Sequence, residues 1–161
     1  MVEITNQETG IVLYRVEAAT LEAAKLAGAH LDGAGLQQAQ LDRADLTFAY
    51  LVGAHMNGAH LLKAHLAGAH MTGAVLSYAD MRLADLCKAQ LSGADLSHAN
   101  LTGADLRNAF LYYTDLSHAH LADADLSGAI LTDANLTGVR YNASTRWPEG
   151  FHVPHPWWRF W

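Results

Sequence analysis

Histidine and aspartate carry what reactive chemistry this chain holds. Ten histidines stand among its 161 residues, and His118 and His120, two apart, share one face of any extended segment. His98 occupies the place equivalent to His118 in a recurring pattern described below. Three imidazoles brought to one point would suit zinc or copper at about 2.0–2.1 Å. Solvated histidines holding nothing are the competing account, since nothing signals partners that would orient the rings. Asp85, Asp105 and Asp125 each stand directly before a leucine. Paired carboxylates do acid–base work only across a cleft, which a convex surface does not provide. Cys87 adjoins Lys88, an arrangement that can lower a thiol pKa, although an ordinary exposed thiol asks for less. Ser, His and Asp are plentiful without an arrangement that would activate a nucleophile. No Gly-rich phosphate loop, zinc-ligand Cys pair or dinucleotide fingerprint occurs. The sequence therefore predicts neither an enzyme nor a cofactor.

What positions these groups is a five-residue period. From Leu21 to Tyr141 every fifth residue is Leu, apart from Met56, Met71, Met81 and Tyr141 itself. Two residues before each stands Ala, from Ala19 to Ala134, with only Thr114 and Val139 breaking the series. Such internal repetition decides the fold class before any local propensity does. A helix is excluded: five residues advance it by about 500°, so the leucines would spiral over every side. A separation of two is the same-face spacing of an extended strand. Each quintet thus supplies one small and one large inward side chain. Glycine recurs at the second residue after Leu, as at Gly28, Gly53, Gly93 and Gly138, where a tight turn with positive φ belongs.

The units Ala44-Asp45-Leu46, Ala94-Asp95-Leu96, Ala104-Asp105-Leu106 and Ala134-Asn135-Leu136 resemble the pentapeptide repeat family. That resemblance implies an all-β fold, a right-handed quadrilateral β-helix in which four units make one square coil. With residues 20 apart stacked at about 4.8 Å, about six coils would form a rod of about 30 Å. Burying one leucine is worth about 1.5–3 kcal/mol, so the inner column is the main stabiliser. The chain departs from the family by placing His30, His55, His60, His65, His70 and His120 where Asp or Asn is usual.

One structural domain is expected, with residues 19–143 as solenoid and both ends capped. Over 1–18, Val2-Glu3-Ile4-Thr5 and Ile11-Val12-Leu13-Tyr14 read as a β-hairpin that covers the first coil. Over 144–161 the composition changes to all three prolines and all four tryptophans. One reading is a lid whose aromatics cover the last leucine layer. Another makes Trp157, Trp158, Phe160 and Trp161 a self-association surface for a homodimer, since aromatic and Arg residues dominate interface hot spots. Interfacial anchoring by tryptophan is a third.

The net charge of −6 and the absence of a Lys/Arg cluster argue against direct nucleic-acid binding. No apolar run approaches the roughly 18 residues of a membrane span, and the first residues show no secretory pattern. A single cysteine suits a reducing compartment, so a bacterial cytoplasmic location is expected. Some pentapeptide repeat proteins resemble DNA in shape and charge and bind DNA gyrase, which makes a topoisomerase-directed mimic one alternative. Six negative charges over about 30 Å give one per about 5 Å, against one per about 1.7 Å in duplex DNA. Surface metal binding around His98, His118 and His120 is another alternative. The leading expectation is a protein-interaction or scaffold module with an unidentified protein partner, met by Asp85, Asp105 and Asp125 and by the aromatic C-terminal residues.

Overall fold

A computed structural model describes residues 1–153. Two strands open the chain: β1 (Val2–Thr5) and β2 (Val12–Val16). They pair antiparallel with Ile4 opposite Tyr14 and Thr5 opposite Val12, so Leu13 bulges out of β2. The Asn6 carboxamide oxygen accepts from the Glu8 and Thr9 amides and turns the chain between them. Asn6 then pairs antiparallel with Ala34, while Gly35 N–H donates to Thr5 O (2.8 Å). The hairpin thereby edges the coil at Gly35, and Ile4 is buried in the core.

From Lys25 onward the chain winds as a β-helix. The residue before each central position pairs parallel with the residue 20 further on, as Lys25 with Asp45, Asp85 with Asp105 and Asp115 with Asn135. Four quintets therefore close one coil. Three hydrogen bonds tie a quintet to its neighbours, for example Leu96 N–H to Asp115 O (2.7 Å), His98 N–H to Ser117 O (2.9 Å) and Asn100 N–H to Ala79 O (2.9 Å). A fourth closes the corner, where the alanine amide donates to the central residue's carbonyl three positions back, as Ala99 to Leu96 (3.1 Å).

The third residue of each corner has positive φ, the requirement of a type II turn. Glycine fills it at ten corners, from Gly28 to Gly138, yet Arg43 (58°), Tyr78 (60°), Leu83 (57°) and Tyr113 (55°) adopt it too. The interior leaves no such latitude. Leu26 to Leu126 form one buried column with Met56, Met71 and Met81 in line, and the alanines fill the spaces between. Thr114 replaces alanine in that column, and its buried hydroxyl donates to Leu91 O (2.8 Å).

The winding continues beyond residue 143 after one inserted residue. Asp125 pairs with Arg146, 21 residues on, and Leu126 N–H donates to Arg146 O (2.7 Å). Thr145 takes the alanine place and donates its hydroxyl to Leu121 O (2.8 Å), repeating the relation of Thr114 to Leu91. Trp147 follows in the large inward place, edge-on to Tyr141 (5.4 Å) and stacked on Phe151 (5.6 Å).

Candidate functional site

The backbone bonding leaves one amide per quintet unused, that of the first residue after the central position. A preceding Asp or Asn takes it. Ser97 N–H donates to Asp95 Oδ1 (2.9 Å), Cys87 N–H to Asp85 (3.0 Å), Ser117 N–H to Asp115 (2.8 Å) and Ser127 N–H to Asp125 (2.9 Å). Asp32 and Asp42 do the same for the coil above, accepting from Val52 and Leu62. These carboxylates hold the corners together.

The acidic column Asp85–Asp105–Asp125 is stacked in register as its spacing implies, but two members are engaged. Arg107 grips Asp105 through both of its oxygens, with Nε 2.8 Å from Oδ1, and Arg146 lies 3.5 Å from Asp125. Arg82 grips Asp80 in the same way on another face. Hydrogen bonds from Arg107 hold the Asp105 carboxyl below its usual range. Burial pushes Asp125 up, but hydrogen bonds from Ser127 and the Arg146 charge outweigh it and leave it lowered. Cys87 is a free, half-buried thiol.

The histidines separate into columns. His98 and His118 stack face to face, 4.9 Å between centroids, and Tyr78 continues the stack at 4.7 Å from His98. Stacked rings turn their faces, not their nitrogens, toward each other. His120 lies in a different column, between Asn100 and Arg140. Burial, then Arg140 and His98, lower its pKa. Among the described residues no group of three or more His, Cys, Asp or Glu is placed to hold a metal ion. Trp157, Trp158, Phe160 and Trp161 lie outside the described residues.

A different surface gathers exposed apolar groups. His30, Tyr50, His70, Gln90, Phe110 and Ile130 form one column on one flat side. Tyr50 is stacked between His30 (4.5 Å) and His70 (4.8 Å), the residue still 38% exposed. Phe110 is 39% exposed and borders a hollow of about 270 Å³ with Thr72, Gln90 and Ser92. Phe48, Val52 and Tyr113 stand exposed at the bounding corners. Sequence reasoning names none of this column as a site. Sorting the corner residues by the same period of 20 would have shown the aromatics that widen it.

The sequence profile described as pentapeptide repeats (8 copies) matches residues 17–47, 39–77, 49–86, 64–103 and 99–138. Among solved structures, a pentapeptide repeat protein from the Arabidopsis thaliana thylakoid lumen is 34% identical, with TM-score 0.61 over 63% of this chain and 70% of that one. Rfr23, a pentapeptide repeat protein of the cyanobacterium Cyanothece 51142, is 32% identical, with TM-score 0.40 over 61% of this chain. The match spans 63% of Rfr23, less than two thirds of its length. HetL, a pentapeptide repeat protein involved in heterocyst differentiation regulation in the cyanobacterium Nostoc, is 36% identical, with TM-score 0.32 over 80% of this chain and 66% of that one. No curated protein sequence matches. Among the described residues no helix is long and apolar enough to cross a membrane.

Proposed function

The chain belongs to the pentapeptide repeat family, and from that premise we propose that it is a non-enzymatic interaction module whose protein partner seats on the Tyr50–Phe110 side. The observation that carries this reading is the exposed aromatic column itself. Tyr50 and Phe110 are large, held by the stacked coils, and flanked by exposed Phe48, Val52 and Tyr113. Rigid aromatics bury much area at little entropic cost, which is why they anchor interfaces. The rod is taken as right-handed with about six coils, as the family resemblance implies. A reducing cytoplasm suits the free Cys87.

The DNA-mimic alternative has less behind it. Arg82, Arg107 and Arg146 sit on Asp80, Asp105 and Asp125, so part of the acidic surface is already neutralised. A supercoiling assay with purified gyrase tests that alternative, and inhibition at micromolar protein would restore it.

The interaction reading is tested with a photo-crosslinking phenylalanine analogue placed at Tyr50 or Phe110 in cells that make the protein. The same analogue at His60, on the opposite column, serves as control. A discrete adduct from the first two positions that the control does not give is expected. Adducts equal to the control, or none, would overturn the assignment of that side.

A further inference from the structure

The first turn of the solenoid has a gap in its hydrogen-bond ladder. The repeating pattern requires Leu21 N–H to reach Gln40 O, and Gln40 N–H to reach Ala19 O. Neither bond forms, and none of these four groups has another partner among the described residues. Two residues further on, Ala23 N–H reaches Asp42 O (2.8 Å) and the ladder is whole. The two segments therefore diverge like a wedge where the chain arrives from β2.

The core wall opens at the same place. Every alanine of the inner column from Ala24 to Ala129 is buried except Ala39, which is half-buried. Beside it lies a hollow of about 320 Å³ whose lining includes Val2, Ile4, Leu21, Leu36, Ala39 and Gln40. Its floor is aliphatic, and Glu3 at its rim is already paired with Arg15 (2.9 Å). A volume near 300 Å³ is at the small end of the range for ligand pockets.

We infer that this wedge is a strand-addition site, which takes an extended peptide whose backbone pairs with Gln40 and whose aliphatic side chain fills the hollow beside Ala39. The unpaired groups choose the occupant. Gln40 presents an N–H and a C=O from one residue of extended chain, and the neighbouring groups of an extended peptide are their complement. A hydrocarbon ligand would fill the hollow and leave both unpaired. A charged ligand finds no free charge in the lining. In an added strand alternate side chains point to one face, so one aliphatic group enters while its neighbours stay in water. The site is at the end of the rod and is independent of the Tyr50–Phe110 side, so either can fail alone.

Amide hydrogen exchange of the full chain, followed by NMR, tests the inference. In the free protein the Gln40 amide should exchange at least about tenfold faster than those of Leu41 and His60, which donate to His60 O and Ala39 O. A short acetylated and amidated peptide of alternating threonine and valine should slow Gln40 exchange about tenfold or more at millimolar concentration. The same peptide N-methylated on every residue should not, and neither should the parent peptide on an Ala39→Leu chain. No slowing by the parent peptide would overturn the inference. Equal slowing by the N-methylated peptide would reduce the wedge to an unspecific aliphatic hollow. Protection in the free protein that grows with its own concentration would give the site to a second copy instead. Protection lost on truncation after Val153 would give it to the chain's own terminus.

Discussion

Phe48 lies across Gly68, the residue 20 positions on at the same corner, and its ring occupies the space that a Cβ there would fill. Both residues are left-handed, at φ of 55° and 64°. Gly68 thus meets two demands at once, a backbone that disfavours side chains and a neighbour that excludes them. Gly53 meets only the first, since nothing lies within 4 Å of its missing Cβ. Gly53→Ala should cost about 1–2 kcal/mol, the left-handed penalty. Gly68→Ala should cost about 1–3 kcal/mol more from overpacking. Adding Phe48→Ser to Gly68→Ala should return the loss to that of Gly53→Ala. Urea unfolding of the variants checks this, and losses that simply add in the double variant would show that the ring moves aside freely.

Asp95 supplies the second prediction, because it accepts the Ser97 amide that the backbone ladder leaves unused. Asp95→Ala strands that amide at the surface and should cost about 1 kcal/mol. Asp95→Asn keeps an oxygen acceptor and should cost less, as Asn100 and Asn135 make the same bond to Thr102 and Thr137. Unfolding midpoints measured at neutral pH separate the two. Equal losses would mean that the negative charge, not the hydrogen bond, stabilises the corner.

The inner columns were legible because the period of five is repeated without error, and only an extended chain can bury Ala and Leu two apart. Positive φ at the glycine corners was legible for the same reason. It was not legible at Tyr78 or Leu83, where the closed coil imposes a conformation their side chains disfavour. The insertion before Thr145 breaks the phase, so the period alone ends at Tyr141 although the ladder goes on to Arg146. The wedge at Gln40 was hidden because it depends on the path by which β2 enters the first turn. Stacking of His98 on His118 followed from a separation of 20, whereas the face-to-face orientation of the two rings did not.

The third prediction concerns acid. Hydrogen bonding from Thr47 holds Asp45 below its usual range, and hydrogen bonds from Arg82 and Arg107 do the same for Asp80 and Asp105. A carboxyl whose folded pKa lies below its unfolded value of about 3.9 contributes stability above that pH. The contribution is lost as pH falls through the lower folded value. His120, lowered first by burial, has the opposite charge change but the same slope. Below about pH 6.5 the unfolded imidazole takes up a proton that the folded one resists, so stability falls until the folded ring is protonated too. Urea midpoints between about pH 8 and pH 3 should therefore decline in two steps, one just below 6.5 and one below about 4. His120→Gln should flatten the upper step and leave the lower one. Arg107→Gln should shrink the lower step by lowering stability at neutral pH, because Asp105 then loses the guanidinium donors and keeps only the amide of residue 107. Both partners of that pair are partly exposed, so the effect is modest. A lower step unchanged by Arg107→Gln would place the acid sensitivity in the corner carboxylates that accept backbone amides, and not in the ion pairs.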